Sequence, residues 1–282
     1  MDTKDIRLLV MDIDGTLLND QKQITEKTKE ALIALEKQGV RLGLASGRPV
    51  KGMIRFAEEL RMPEFGGILI SSNGARVETL DGELLFENPI PKEEAQAVLE
   101  HLKKFDVLPM VEDGDYMQVN NVYNNQVSVN GQSFNVMDYE AHSNGFLLKE
   151  SHDLAKSVNF APSKILTAGT DTYLKDHWQE MEAPFRDRLD CMFTAPFYFE
   201  YTNKNTNKGE AMRHLPFETE EIAAVGDAQN DLPMFKAAGV KVAMGNAVDE
   251  TKAYADFITA DNNHDGIAEW IEQYFKINPD RA

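Results

Sequence analysis

A single cysteine, Cys191, stands in this chain of 282 residues, so no intramolecular disulfide can form. The six histidines are scattered, with no His-x-x-His pair and no cysteine cluster beside them, which leaves zinc unsupported. Apolar runs fall short of the roughly 18 residues that span a bilayer, and no amphipathic segment gathers a basic face, so no membrane attachment is expected. The first residues, Met1-Asp2-Thr3-Lys4-Asp5, lack the basic-then-apolar build of a signal peptide, which makes the cytoplasm the expected location. Positive charge is also scarce. Lysine and arginine number 29 against 47 acidic residues, a formal net charge of -18 that repels the DNA or RNA backbone and argues against a nucleic-acid partner. A small phosphorylated metabolite is not excluded, because one cation and a few local donors can invert the field inside a pocket. Repeats and low-complexity segments are absent as well, which sets aside solenoids.

What is present is an ordinary globular composition, 42% apolar and 27% charged, on a chain long enough for two domains. Ile6–Met11 reads as a strand, Thr25–Gln38 as a helix with Thr25 as N-cap and Gly39 at its stop, and Val40–Ala45 as a second strand. A helix with Pro49 in its first turn and a strand at Gly67–Ser71 continue this βαβ rhythm of a parallel sheet. Ala75–Glu87 then reads as a hairpin about Asp81-Gly82.

From Asn88 to Thr202 the pattern changes to an acidic helix at Lys92–Lys104, short strands, a helix at Thr172–Leu189 and a strand at Phe197–Tyr201. Alternation returns through Ile222–Val225, Asn230–Ala238, Val240–Met244, Phe257–Thr259 and a closing helix at Gly266–Phe275; Asn278–Ala282 reads as a loose tail. The expected fold is therefore α/β: a Rossmann-like, doubly wound parallel sheet core split between residues 1–87 and 203–282, with an inserted α+β domain at 88–202.

Four segments carry chemistry. Asp12-Ile13-Asp14-Gly15-Thr16 follows the first strand, where residues two apart share a direction and Gly15 lets the chain turn. Two carboxylates there suit a metal site or an acid and nucleophile pair, although an isolated Asp-x-Asp is ordinarily only a turn. An EF-hand is rejected, since the sixth and twelfth positions from Asp12 are Leu17 and Gln23 rather than Gly and Glu.

Ala45-Ser46-Gly47-Arg48-Pro49 offers a hydroxyl, a glycine N–H and a helix N-terminus to phosphate oxygens, or simply a helix cap. The frame Gly43-Leu44-Ala45-Ser46-Gly47 centres on alanine, so it is not a serine-hydrolase elbow. Gly226-Asp227-Ala228-Gln229-Asn230-Asp231 can complete an oxygen-rich magnesium site, with Asn230 free to donate to phosphate, or equally be a helix N-terminus rich in caps. Lys208, in Asn207-Lys208-Gly209, matters only through its company, because a lone lysine is usually surface. Asp12, Ser46 and Asp227 all follow strands at the end where open α/β sheets bind ligands.

These four motifs, in this order, resemble the haloacid dehalogenase superfamily and specifically its Cof-type branch with a C2-type cap. Ser72-Asn73-Gly74-Ala75, Met244-Gly245-Asn246-Ala247 and Asp265-Gly266-Ile267-Ala268 extend the likeness; Ser46 stands where many relatives carry threonine and keeps the hydroxyl. The resemblance implies a phosphatase of small phosphorylated, sugar-type metabolites in which Asp12 becomes phosphorylated. Asp14 then serves as acid and base, and must be protonated when the phosphate binds, its pKa raised by a neighbouring carboxylate and the substrate's charge. It implies Mg2+ on Asp12, the Asp14 backbone carbonyl and Asp227, supported by Asp231, and phosphate held by Ile13, Ser46, Gly47, Lys208 and Asn230. The competing readings are a phosphosugar mutase and a regulator that binds a phosphometabolite without turning it over.

Overall fold

The computed structural model describes residues 6–276, so the tail expected at Asn278–Ala282 lies outside the described residues. Its first strand, β1 (Leu8–Asp12), is buried along its whole length, which is why it reads as an unbroken apolar run. Alternate side chains feed two separate cores: Leu9 and Met11 pack with the helices Glu26–Lys37, Val50–Glu59 and Gly266–Phe275, whereas Leu8 and Val10 pack with Lys208–Met212 and Leu232–Lys236. Helices thus cover both faces of the sheet.

β2 (Arg41–Ala45) and β3 (Ile68–Ser71) follow in parallel, and β4 (Arg76–Thr79) turns back antiparallel into β5 (Leu84–Glu87) through Gly82 at φ +93°. The helix Glu26–Lys37 starts as expected, with the Thr25 side chain accepting from the Thr28 N–H at 3.3 Å.

The second unit, Glu87–Thr206, has its own sheet built from β6 (Leu108–Asp113), β7 (Tyr116–Val119), β10 (Leu147–Glu150), β11 (Lys164–Ala168), β12 (Leu189–Ala195) and β13 (Tyr198–Asn203), in the order β10-β7-β6-β11-β13-β12. A separate hairpin joins β8 (Gln126–Val129) to β9 (Gln132–Asn135) through Asn130-Gly131, both at positive φ. The helix expected to reach Leu189 spans Asp171–Glu182 instead: Pro184 follows two residues later and has no backbone N–H to continue the i→i−4 ladder. The unit extends to Thr206 because Asn88 Nδ2 donates to the Lys204 carbonyl and the Thr206 hydroxyl, each at 3.0 Å, while Asn203 Nδ2 donates to Asn88 Oδ1 at 2.8 Å.

The chain then returns to the first unit, which holds the residues up to Phe86 and those from Asn207 onward. β14 (Ile222–Gly226), β15 (Val240–Ala243) and β16 (Phe257–Ile258) complete an eight-stranded sheet in the order β16-β15-β14-β1-β2-β3-β4-β5. β1 pairs in parallel with both β14 and β2, with Met11 opposite Val225 and Asp12 opposite Ala45. That register brings the loops after β1, β2 and β14 to one edge of the sheet. The fold is the expected α/β, doubly wound core with an inserted α+β unit.

Candidate active site

Asp12 is the last residue of β1 and is buried. Lys208, only 1% exposed, sends Nζ to Asp12 and to Asp231 Oδ1, the latter at 2.6 Å. A lysine survives such burial only when paired, and here two carboxylates share it. Burial alone would pull the ammonium down, but Asp12 and Asp231 outweigh it and hold Lys208 above its usual value. Local chemistry delivers the side chain: Asn207 caps the short helix Lys208–Met212 by accepting from the Glu210 N–H at 2.8 Å. A Cβ on Gly209 would stand 2.0 Å from the Pro233 carbonyl oxygen, so only glycine lets that helix approach so closely.

Asp231 spends its other oxygen, Oδ2, on the N–H groups of Asp227 and Ala228 at 2.9 and 3.0 Å, which orders the turn after β14. Asp227 in turn accepts the Thr16 hydroxyl at 2.7 Å. The three carboxylates of Asp12, Asp227 and Asp231 place oxygens within 4.8 Å of one another. Burial, reinforced by Asp231 and Asp227, outweighs Lys208 and pushes Asp12 up to about 8; burial likewise raises Asp227. Such crowding of hard oxygen donors fits a divalent cation.

Asp14 faces a different set of charges. Arg48 donates Nε to Oδ2 at 2.7 Å and Nη2 to Oδ1 at 2.9 Å, and Lys22 Nζ reaches Oδ1 at 2.9 Å. Burial would raise this carboxyl, but Arg48 and then Lys22 together prevail and hold it at about 2. The raised pKa expected of Asp14 with phosphate bound is thus not that of the free protein, where the carboxyl is held ionised and its side chain stays out of the three-carboxylate group. Only its backbone is left for the metal role.

The expected phosphate-gripping residues lie around the same strand ends. Ser46, buried, donates its N–H to Ile70 and accepts the Arg48 N–H on Oγ at 3.2 Å, leaving its hydroxyl proton to donate. A Cβ on Gly47 would come within 3.1 Å of the Asn73 amide. Asn230 is exposed and meets Asn73 at 3.5 Å, at the limit of a hydrogen bond. The Ile13 side chain is buried in the core while its carbonyl accepts the Leu18 N–H at 2.9 Å.

Sequence reasoning missed Lys22, Thr16 and Asn73 as site residues and gave Arg48 no role. Ser72 and Asn73 both take positive φ, at 49° and 56°, a strained pair that presents Asn73 between Gly47 and Asn230. The Ser72-Asn73-Gly74 string was the available signal.

Residues 9–271 match the family model of haloacid dehalogenase-like hydrolases. A solved haloacid dehalogenase-like hydrolase from Bacteroides thetaiotaomicron is 32% identical with a TM-score of 0.86, covering 95% of this chain and 99% of its own. The 5-amino-6-(5-phospho-D-ribitylamino)uracil phosphatase YcsE of Bacillus subtilis is 28% identical over 274 residues, 96% of each chain. A solved sugar phosphatase of subclass IIB of the superfamily is 25% identical at a TM-score of 0.76, over 96% of this chain and all of its own. Among the described residues no helix is long and apolar enough to cross a membrane. Superfamily phosphatases generally use a divalent metal, for which the aspartate cluster provides. The match over nearly the whole chain, with an aspartate cluster at the strand ends, means that the chain belongs to the haloacid dehalogenase-like hydrolases, in the Cof-type branch, and acts on phosphate esters.

Proposed function

We propose that the protein is a magnesium-dependent phosphatase of small, sugar-type phosphorylated metabolites that works through a phosphorylated Asp12. The observation that carries this reading is the division between two carboxylates two residues apart: Asp12 sits with Lys208 and two further aspartates, and Asp14 sits with Arg48 and Lys22.

Asp12 attacks phosphorus in line while the ester P–O bond breaks and the departing alkoxide takes a proton from Asp14. Water then attacks the aspartyl phosphate, gives its proton to Asp14, and frees both Asp12 and inorganic phosphate. The entering phosphate competes for Arg48 and Lys22, which releases Asp14 from its ion pairs to carry the proton. Ser46, Gly47, Lys208, Asn230 and the Ile13 N–H hold the phosphate oxygens as charge moves. Asp12, Asp227 and the Asp14 backbone carbonyl, steadied by Asp231, are the residues to hold Mg2+, whose bound charge offsets the repulsion between carboxylate and phosphate. Selectivity among leaving groups belongs to the inserted unit.

A panel of metabolite phosphates scored by release of inorganic phosphate, with Mg2+ and without a bisphosphate activator, tests the proposal. Turnover of sugar-type phosphates is expected. Isomerisation of a sugar phosphate that needs a bisphosphate and releases no inorganic phosphate would favour a mutase, and binding without either reaction a regulator.

A further inference from the structure

Three asparagines from the second half of the chain hold the loop that carries Asp14. Asn246, after β15, donates Nδ2 to the Gly15 carbonyl at 2.8 Å. Its own Oδ1 accepts the backbone N–H of Asn262 at 3.1 Å. Because a backbone N–H can only donate, this contact fixes which end of the Asn246 amide faces Gly15.

Asn262 is itself locked. It is 8% exposed and donates Nδ2 to the Leu18 carbonyl at 2.9 Å and to Asp20 Oδ1 at 3.3 Å. Asn263 Oδ1 accepts the Asp20 N–H at 3.1 Å. The loop they grip has few bonds of its own, chiefly Leu17 N–H to the Asp12 carbonyl at 3.2 Å and Leu18 N–H to the Ile13 carbonyl at 2.9 Å.

Gly15 lies at φ +88°, a conformation that glycine alone adopts freely, and so gives the loop no stiffness of its own. A Cβ there would stand 2.6 Å from Asp227 Oδ2, which removes the option of stiffening it with a larger residue. The restraint has to come from outside.

We propose that Asn246, oriented by Asn262, is a positioning residue for phosphoryl transfer. By holding the Gly15 carbonyl it fixes the peptide between Asp14 on one side and, on the other, the Thr16 hydroxyl that bonds Asp227. The assignment rests on the phosphatase reading above. Asn246 is exposed, so its loss lets water replace it on the Gly15 carbonyl and costs the fold little. A residue that only braced the fold would, on removal, loosen the loop or lower the urea midpoint and leave kcat unchanged.

The test uses the full chain and the variants Asn246→Ala and Asn246→Asp, the second isosteric but without the donor. Amide hydrogen exchange at Leu17 and Leu18 should speed up by about tenfold in both, with β1 amides and the urea midpoint unchanged. With Mg2+ and an alkyl phosphate, kcat should fall by about 10- to 100-fold and KM stay within about twofold, the scale expected for a slight misplacement of reacting groups. Unchanged exchange at Leu17 and Leu18, or wild-type kcat in Asn246→Asp, overturns the proposal. If the wild type released phosphate from no ester, the phosphatase reading would fall, and the exchange measurement would still decide whether Asn246 restrains the loop.

Discussion

Lys208 donates Nζ to Asp231 Oδ1 at 2.6 Å in a site where both side chains are buried, and the same ammonium bonds Asp12. One cation therefore neutralises part of a three-carboxylate cluster assembled from both halves of the core.

Lys208→Met should expose the consequence. Removing one partner of a buried ionic group leaves the others uncompensated, at a cost of about 3 to 5 kcal/mol. Urea unfolding at pH 7.5 should show that loss, and phosphate release should vanish with it. A variant as stable as the wild type would mean that Asp12 and Asp231 do not depend on the ammonium.

Chelation supplies a second check on the cluster. Excess chelator should abolish phosphate release and Mg2+ should restore it, whereas Ca2+, larger and less strictly octahedral, should restore little. Full activity in chelator would remove the metal from Asp12 and Asp227.

Much of this architecture was legible because buried parallel strands read as apolar runs and the ligand end of such a sheet follows from their direction. Asp12, Ser46 and Asp227 are recognisable as residues that follow strands. The Arg48–Asp14 fork is not, since it joins residues 34 apart and depends on the register that sets Asp12 opposite Ala45. Lys22 is harder still: it reaches Asp14 from a left-handed φ of 59°, in a turn where the Asn19 side chain accepts the Gln21 and Gln23 N–H groups. No local propensity marks a lysine for that conformation. Asn130-Gly131, by contrast, carries as plain a hairpin signal as Asp81-Gly82, but the strands it joins are too short and polar to stand out.

Glu36 gives a prediction about stability. It is 3% exposed, neither carboxylate oxygen has a hydrogen-bond partner, and burial, with Glu64 adding to it, pushes it from 4.5 up to about 8 against the pull of Arg61. The folded state thus holds a proton that the unfolded state gives up above pH 4.5. The associated stability is complete below that value, declines as pH rises toward 8 and is gone above it. Glu36→Met should flatten this decline and gain about 1 to 3 kcal/mol at pH 8.5 by removing an unsatisfied buried group. Urea midpoints at pH 5.5 and 8.5 measure both effects; a gap between variant and wild type that does not widen with pH would contradict the assignment.

Asp14→Asn separates the two chemical steps. An alkoxide leaving group is strongly basic and needs the proton that Asp14 supplies, whereas a nitrophenolate departs unassisted. General acid help is worth about 100- to 10,000-fold, so the variant should lose alkyl phosphate hydrolysis on that scale while still transferring phosphate from nitrophenyl phosphate to Asp12. The amide also cannot take a proton from water, so the second step should stall. Rapid-quench kinetics should then show a burst of nitrophenol followed by slow turnover, with intact-protein mass rising by one phosphoryl group. Asp12→Asn should show no burst. Arg48 and Lys22 bear on the same experiment, because the neutral amide holds them less tightly than an ionised Asp14 does and so competes less with the substrate phosphate for them. The variant's KM for nitrophenyl phosphate should accordingly not exceed the wild-type value. Equal slowing on alkyl and aryl substrates, with no phosphoenzyme, would take the acid and base role away from Asp14.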